Sequence, residues 1–208
     1  MTKSFLTACL ATLFLSLAVP GPAAAAPAGP DPAVTTVRAF YDALLDSMKH
    51  AKALGIKGRY KKLEPAVDAA FDFPVMTRLA VGPQWQSMSD ADHKTLTAAF
   101  QRMTIADYAH NFDGYNGEDF VVDPQVRERA GDKIVSSKMV VKGQDPIPFV
   151  YRMRNSGNGW KIIDIFLNGY VSEVATKRAD FASTLKSGGA TALAQKLNAM
   201  SDRELAGK

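Results

Sequence analysis

The period of the apolar residues changes twice along this chain, and those changes restrict the fold more than any single motif does. Up to about residue 110 the apolar side chains recur at helical spacing; from Asp119 they alternate or cluster over strand lengths. Past Tyr170 the helical period returns. The stretches DFVVDPQVRER, DKIVSSKMVVKG, IPFVYRMRN and WKIIDIFLNG read as four consecutive strands. Ala130-Gly131-Asp132, Gln144-Asp145-Pro146 and Asn155-Ser156-Gly157-Asn158-Gly159 supply the turns between them. Connections this short join antiparallel neighbours. The expectation is an α+β fold in which a helical layer packs on a curved four-stranded antiparallel sheet, cone-like, with an apolar interior cavity.

The helical segments carry their own start and stop signals. Asp31 caps a first helix with Pro32 at its first position. Val34, Val37, Tyr41, Leu44, Leu45, Met48 and Ala51 follow at helical spacing to Leu54, and Gly55 ends the run. IKGRYKKLEPAVDAAF forms a second helix that Pro65 kinks or splits. In FDFPVMTRLAVGPQW, Pro74 opens a short apolar helix and Gly82 stops it. Ser89 and Asp92 make a capping box for a long helix with Leu96, Ala99, Phe100, Met103 and Ala106 on its buried stripe. After the strands, Val174, Arg178, Phe181 and Leu185 mark one helix, Gly188-Gly189 breaks it, and Leu193 and Leu197 sit on a last one.

The first residues have the make-up of an export signal. Lys3 precedes the apolar run Phe5 to Val19, Pro20 to Pro22 break it, and Ala23-Ala24-Ala25 is a small-residue cleavage site. The expected organisation is a cleaved secretory signal over 1–25, a flexible lead-in over 26–31, a single domain over 32–203 and a C-terminal tail over 204–208. The only cysteine, Cys9, leaves with the signal, so the exported chain has no thiol for a disulfide, a nucleophile or a metal site. A periplasmic protein held together by burial alone is the consequence. The formal net charge of +4 is only mildly basic, and export argues against a nucleic-acid partner.

Candidate chemistry is sparse. There is no phosphate-binding glycine loop and no G-x-S-x-G elbow. His50, His93 and His110 fall on different helices without ligand spacing, so neither a metal nor a cofactor is expected. Asp107 and His110 share a helical face beside Tyr108 and could serve acid–base chemistry, although a solvated helix end with a local ion pair explains them as well. Asp164 interrupts an apolar strand and needs a partner, for which Arg152 and Arg154 on the neighbouring strand are the natural candidates. Lys49, Lys52, Lys57, Arg59, Lys61 and Lys62 crowd one stretch, either as a solvated surface or for transient contact with an anionic membrane or partner surface.

Spread along the chain are Phe71-Asp72-Phe73, the Met76 to Gly82 helix, Trp85, the Phe100 helix, Tyr108-Ala109 and Tyr115-x-Gly117. Trp160-Lys161-x-x-Asp164, Gly169, Arg178-x-x-Phe181, Gly188-Gly189 and Leu193-x-x-x-Leu197 follow. In this order and spacing the chain resembles the MlaC, or toluene-tolerance, family of periplasmic lipid carriers. ALLDSMKHAKALGIKGRYKKLEP, RLAVGPQW and YNGEDFVV are most similar to its hopanoid-biosynthesis-associated HpnM branch; Tyr170, inserted before Val171-Ser172, departs from the family pattern at the pocket lip. The resemblance implies a cavity that shields acyl chains of a phospholipid or hopanoid. It also implies handover between an inner-membrane ABC-type transporter complex and an outer-membrane complex, without enzymatic activity.

Strand parity then nominates the lining: Val135, Met139 and Val141; Phe149, Tyr151 and Met153; Ile163, Ile165 and Leu167. Helices would add Leu44, Leu45, Met48, Phe73, Met76, Leu79, Phe100 and Met103, with methionines suited to cargo of variable shape. Two other classes stay open: a non-carrying assembly subunit of a lipid synthesis or transport complex, and an isomerase or lyase using Asp107 or Asp164.

Overall fold

The structure is a computed structural model and describes residues 29–207; the expected signal segment lies outside the described residues. Helix α1 (Pro32–Lys49) begins where Asp31 accepts a hydrogen bond from the Ala33 amide at 2.8 Å. Its buried stripe, Val34, Val37, Tyr41, Leu44 and Met48, matches the sequence period and also takes in Phe40. The helix stops at Lys49, earlier than expected, and α2 (Ala51–Ala70) starts after His50. The signal at Gly55 is real: at φ 58° and ψ 176° it is a break inside α2, whereas Pro65 sits in the helix without taking the backbone out of helical dihedrals.

Asp72 both ends this helical pair and starts the next. Its carboxylate accepts from the Val75 amide at 3.1 Å, capping α3 (Phe73–Val81), and from the Ser156 hydroxyl. Its amide donates to the Ile162 carbonyl at 2.9 Å, which ties the corner to the sheet. Gly82 closes α3 at φ 74°, and a Cβ there would come within 3.4 Å of Arg178 Nε. A 3₁₀ turn (Gly82–Ser87) leads to α4 (Asp90–Asn111), which opens with the reciprocal Ser89–Asp92 box.

The strands are β1 (Asp119–Arg129), β2 (Asp132–Val140), β3 (Ile147–Asn155), β4 (Trp160–Leu167) and β5 (Val171–Ser172), in one antiparallel sheet of order β1-β2-β3-β4-β5. The sheet is thus five-stranded, not four-stranded. The extra strand is two residues long, too short for any period to reveal, and pairs Leu167 with Val171 just before the last helix. That helix, α5 (Glu173–Leu205), runs past Gly188-Gly189 with a kink at Gly189 (φ 63°, ψ −157°) and continues two residues into the expected tail.

Two irregularities re-aim side chains. In β1 the register shifts between Val122 and Val126, around Pro124, which has no amide to donate. Between β3 and β4 it shifts at Arg152/Met153, so that Met153 faces Ile162 while Tyr151 faces Ile165. The helices cover the face bearing Val135, Tyr151, Met153, Ile162 and Ile165, and the core fills the space between.

The expected pairing of Asp164 with Arg152 and Arg154 is not formed. Those arginines lie two apart on β3 and both grip Asp132, at 2.6 Å and 2.7 Å; Asp132 is only 1% exposed. Burial alone would raise Asp132, but the hydrogen bonds from Arg154 and Arg152 outweigh it and hold the carboxyl below its usual range. Asp164 turns toward the start of α5 instead. It accepts from the Ile165 amide at 2.8 Å, the Val174 amide at 3.1 Å and the Ser172 hydroxyl at 2.6 Å.

Candidate functional site

Where the helices leave the sheet, they line a partly open cavity of about 260 Å³; the sheet is open, so the closed cone expected from the sequence is not formed. Its walls come from every layer. Helix α1 contributes Phe40, Tyr41 and Leu44; the α2–α3 corner adds Phe71 and Met76. Along α4, Phe100, Thr104, Asp107, Tyr108 and Asn111 recur at three and four residues and so share one face, with Phe112 just beyond. The sheet supplies Phe120, Phe149, Tyr151, Ile165 and Leu167, and the first turns of α5 supply Glu173, Val174 and Lys177.

Aromatic packing makes much of this wall stiff. Tyr41 stacks on Phe120 with ring centroids 4.2 Å apart, and Phe40 meets Phe71 and Tyr108 edge-on at 5.2 Å each. The Phe71–Phe73 pair flanking Asp72 stacks at 5.8 Å, so the FDF stretch is both corner and wall. Beneath the rings runs a buried polar chain: Tyr151 donates to the Tyr41 hydroxyl at 2.8 Å, Tyr41 and Ser137 share a bond of 2.7 Å, and Ser137 donates to the Phe149 carbonyl at 3.3 Å. This satisfies hydroxyls that would otherwise be costly to bury. Burial pushes the Tyr41 phenol up to about 12 and raises Tyr108 and Tyr151 as well, so all three stay neutral and none is tuned for proton transfer near neutral pH.

The ionisable wall residues differ from the rest. Burial first, then the neighbouring Glu204 carboxyl, push Asp107 up to about 7; burial also raises Glu173. A carboxyl whose folded pKa lies above its unfolded value of about 3.9 costs stability once it ionises. The penalty is absent below the unfolded pKa, grows as pH rises to about 7 and is fully present above it. Asp107→Asn is therefore expected to stabilise the protein at pH 8 by the equivalent of roughly 2 kcal/mol, allowing for partial exposure, and to do nothing at pH 4. Thermal unfolding at the two pH values checks this, and an equal gain at both would contradict it.

No histidine, serine or threonine side chain among the described residues hydrogen-bonds the Asp107 carboxylate to form a nucleophile–base pair. His93 stacks on Trp85 at 3.9 Å, and His50 sits beside Asp46 at 3.0 Å. Thr104 is committed to the Phe100 carbonyl at 3.0 Å. A largely apolar cavity of this kind has the lining that hydrocarbon requires.

Residues 38–199 match the MlaC protein family. This chain is a member of the MlaC family. No curated protein matches it. Among solved structures it is similar to a phospholipid-binding protein from Ralstonia solanacearum in complex with a phospholipid, with a TM-score of 0.71 and 24% sequence identity. The match covers 83% of this chain and 98% of the other. At that identity the likeness shows a shared fold.

In this MlaC-family cavity, Leu44, Met76, Phe100, Phe149, Tyr151, Ile165 and Leu167 stand on the wall, as nominated from the sequence. Met48, Phe73, Met103, Val135 and Met153 are buried in the core behind it. Leu45 and Leu79 are partly buried against that core; Met139, opposite the wall residue Phe120, and Val141, one residue past the end of β2, are not on the wall. Ile163 is fully buried but falls at the β3–β4 register shift, so parity misplaces it and Ile162 takes the position facing Met153. The sequence reading did not nominate Phe40, Phe71, Tyr108, Phe112, Phe120 or Val174. The one available signal was the Phe100–Thr104–Tyr108 spacing. The basic stretch also loses a member: Arg59 is buried and donates to the Ala109 carbonyl at 2.7 Å and the Ala51 carbonyl at 3.2 Å.

Proposed function

We propose that this protein is a non-enzymatic lipid carrier that takes the hydrocarbon of one lipid into the cavity and hands it on between membranes. The observation that carries this reading is an enclosure walled chiefly by aromatic and aliphatic side chains in a member of the MlaC family. The solved structure of similar fold was obtained with a phospholipid bound, which supports the same reading. The similarity of RLAVGPQW and YNGEDFVV to the hopanoid-associated branch supports a hopanoid as the alternative cargo.

The energetics define what the cavity must do. Each methylene taken from hydrocarbon into water costs about 0.8 kcal/mol, so one chain of roughly sixteen carbons is worth about 13 kcal/mol. A carrier must return nearly all of that, which makes transfer close to thermoneutral. Direction then comes from the partners, an inner-membrane ABC-type transporter complex and an outer-membrane complex. At about 260 Å³ the cavity is slightly smaller than the usual range of roughly 300–1,000 Å³, and its open side leaves the rest of a lipid outside it.

The test is extraction from membranes. The mature protein, incubated with phospholipid vesicles and separated from them by sedimentation, is expected to carry lipid into the supernatant in proportion to protein. Supernatant free of lipid at every protein concentration would reject carriage. Export is part of the proposal: protein recovered from the periplasm should have Ala26 as its first residue by intact mass, and an unprocessed chain retained in the cytoplasm would refute it.

A further inference from the structure

The apolar cavity has one edge of different character. Thr104, Asp107 and Asn111 line it from α4, and Glu173 and Lys177, four apart on one face of α5, line it from the other side. Two carboxyls thus oppose a single ammonium on the wall, and the Glu204 carboxyl neighbours Asp107 from behind it. No ion pair among the described residues includes Asp107, Glu173 or Lys177. The Asn111 side-chain amide donates to the Asp107 carbonyl, which leaves its own side-chain oxygen free to accept. The edge is therefore rich in acceptors and weakly anionic, directly beside a space for hydrocarbon.

We infer that this α4–α5 edge selects cargo by its head group, favouring a lipid that offers hydrogen-bond donors and carries no net negative charge. The inference rests on the carrier reading above and adds the class of cargo. Three physical points support it. A partly buried carboxylate gains most from a charged N–H donor, since charge-assisted bonds are about twice as strong as neutral ones. A net anionic head group would meet the excess of carboxylates at short range and in reduced dielectric. The upward displacement of Asp107 and Glu173 fits the same picture: each is held in an environment that a donor would relieve.

Vesicles of equal parts phosphatidylcholine, phosphatidylethanolamine and phosphatidylglycerol with identical acyl chains separate the elements of this claim. The ethanolamine and choline heads have the same net charge, but only the first has N–H donors; the glycerol head has hydroxyl donors and a net negative charge. After loading, the protein-bound lipid is identified by mass spectrometry. The expected result is enrichment of phosphatidylethanolamine over each of the others by on the order of ten-fold, as for one or two charge-assisted hydrogen bonds. Asp107→Asn combined with Glu173→Gln should bring the bound ratios back toward the vesicle composition, and Lys177→Ala should deplete phosphatidylglycerol further. Bound lipid that mirrors the vesicles, or is enriched in phosphatidylglycerol, overturns the head-group selection and leaves carriage intact. Uptake of none of the three overturns carriage, and the selection with it.

Discussion

Replacing Thr104 by Trp should reduce lipid loading more than ten-fold while leaving the fold in place. Thr104 sits on the α4 face that lines the cavity, between Phe100 and Tyr108 one turn to either side, so an indole at this position projects into the void. Filling an existing space avoids the 1–3 kcal/mol penalty that overpacking a dense core incurs, and the ring gains contact with its aromatic neighbours. Stability is therefore expected to change by less than about 1 kcal/mol, with an unaltered circular-dichroism spectrum. Thr104→Val, which removes the hydroxyl but leaves the space, should load lipid nearly as well as the parent. Vesicle extraction with the three proteins decides the matter. Full loading by the tryptophan variant would place the lipid somewhere other than this cavity.

The largest loss of stability from a single polar side chain is expected at Asp164. Only 7% exposed, it accepts from two backbone amides and the Ser172 hydroxyl, and thereby fixes both the two-residue strand β5 and the first turn of α5. Asp164→Ala would strand the Ile165 and Val174 amides in a buried site, at about 1–3 kcal/mol for each unsatisfied group, so a total near 4 kcal/mol is expected by denaturant titration. Asp164→Asn keeps the Oδ1 that accepts from both amides and loses only the Ser172 bond to Oδ2, so it should cost about 1 kcal/mol. Because Glu173, Val174 and Lys177 enter the cavity wall from the turn that Asp164 holds, the alanine variant should also load less lipid in proportion to its loosened α5 start. A loss of less than 1 kcal/mol in the alanine variant would show that water satisfies both amides and that the carboxylate is no anchor.

What was legible in advance followed from local physics. The caps at Asp31 and Ser89-Asp92, the helix start beside Pro74 and the stop at Gly82 all depend on neighbours within a few residues, and the structure has each within a residue of where the sequence puts it; the Asp72 cap itself is not singled out in the sequence. The features that were missed are set by tertiary contacts. A two-residue strand such as Val171–Ser172 has no period, and it pairs only because Leu167 and Asp164 are already in place. The register shift at Arg152/Met153 reverses the parity of Ile163, and nothing in WKIIDIFL announces it. Gly188-Gly189 was a correct sign of a departure from helical backbone, but whether it gives a break or a kink depends on what α5 packs against.

The polar edge of the cavity was hidden for the same reason. Asp107 stands out in the sequence only as an acid–base candidate beside His110, and Glu173 does not stand out at all; the two meet at the cavity only because α5 returns across α4 after the whole sheet has been laid down. Phe40 and Phe71 were concealed differently: each belongs to a recognisable core pattern, and a core position and a cavity wall have the same sequence signature. Apolar periodicity shows which face is inside. It does not show whether that inside is filled.

That distinction is the centre of the account, and native mass spectrometry of the mature protein purified without detergent tests it most directly. The expected spectrum contains the protein with one lipid bound, lost on activation and absent from the Thr104→Trp variant. A spectrum showing only the bare chain, before and after incubation with vesicles, would contradict the claim that this cavity exists to hold lipid.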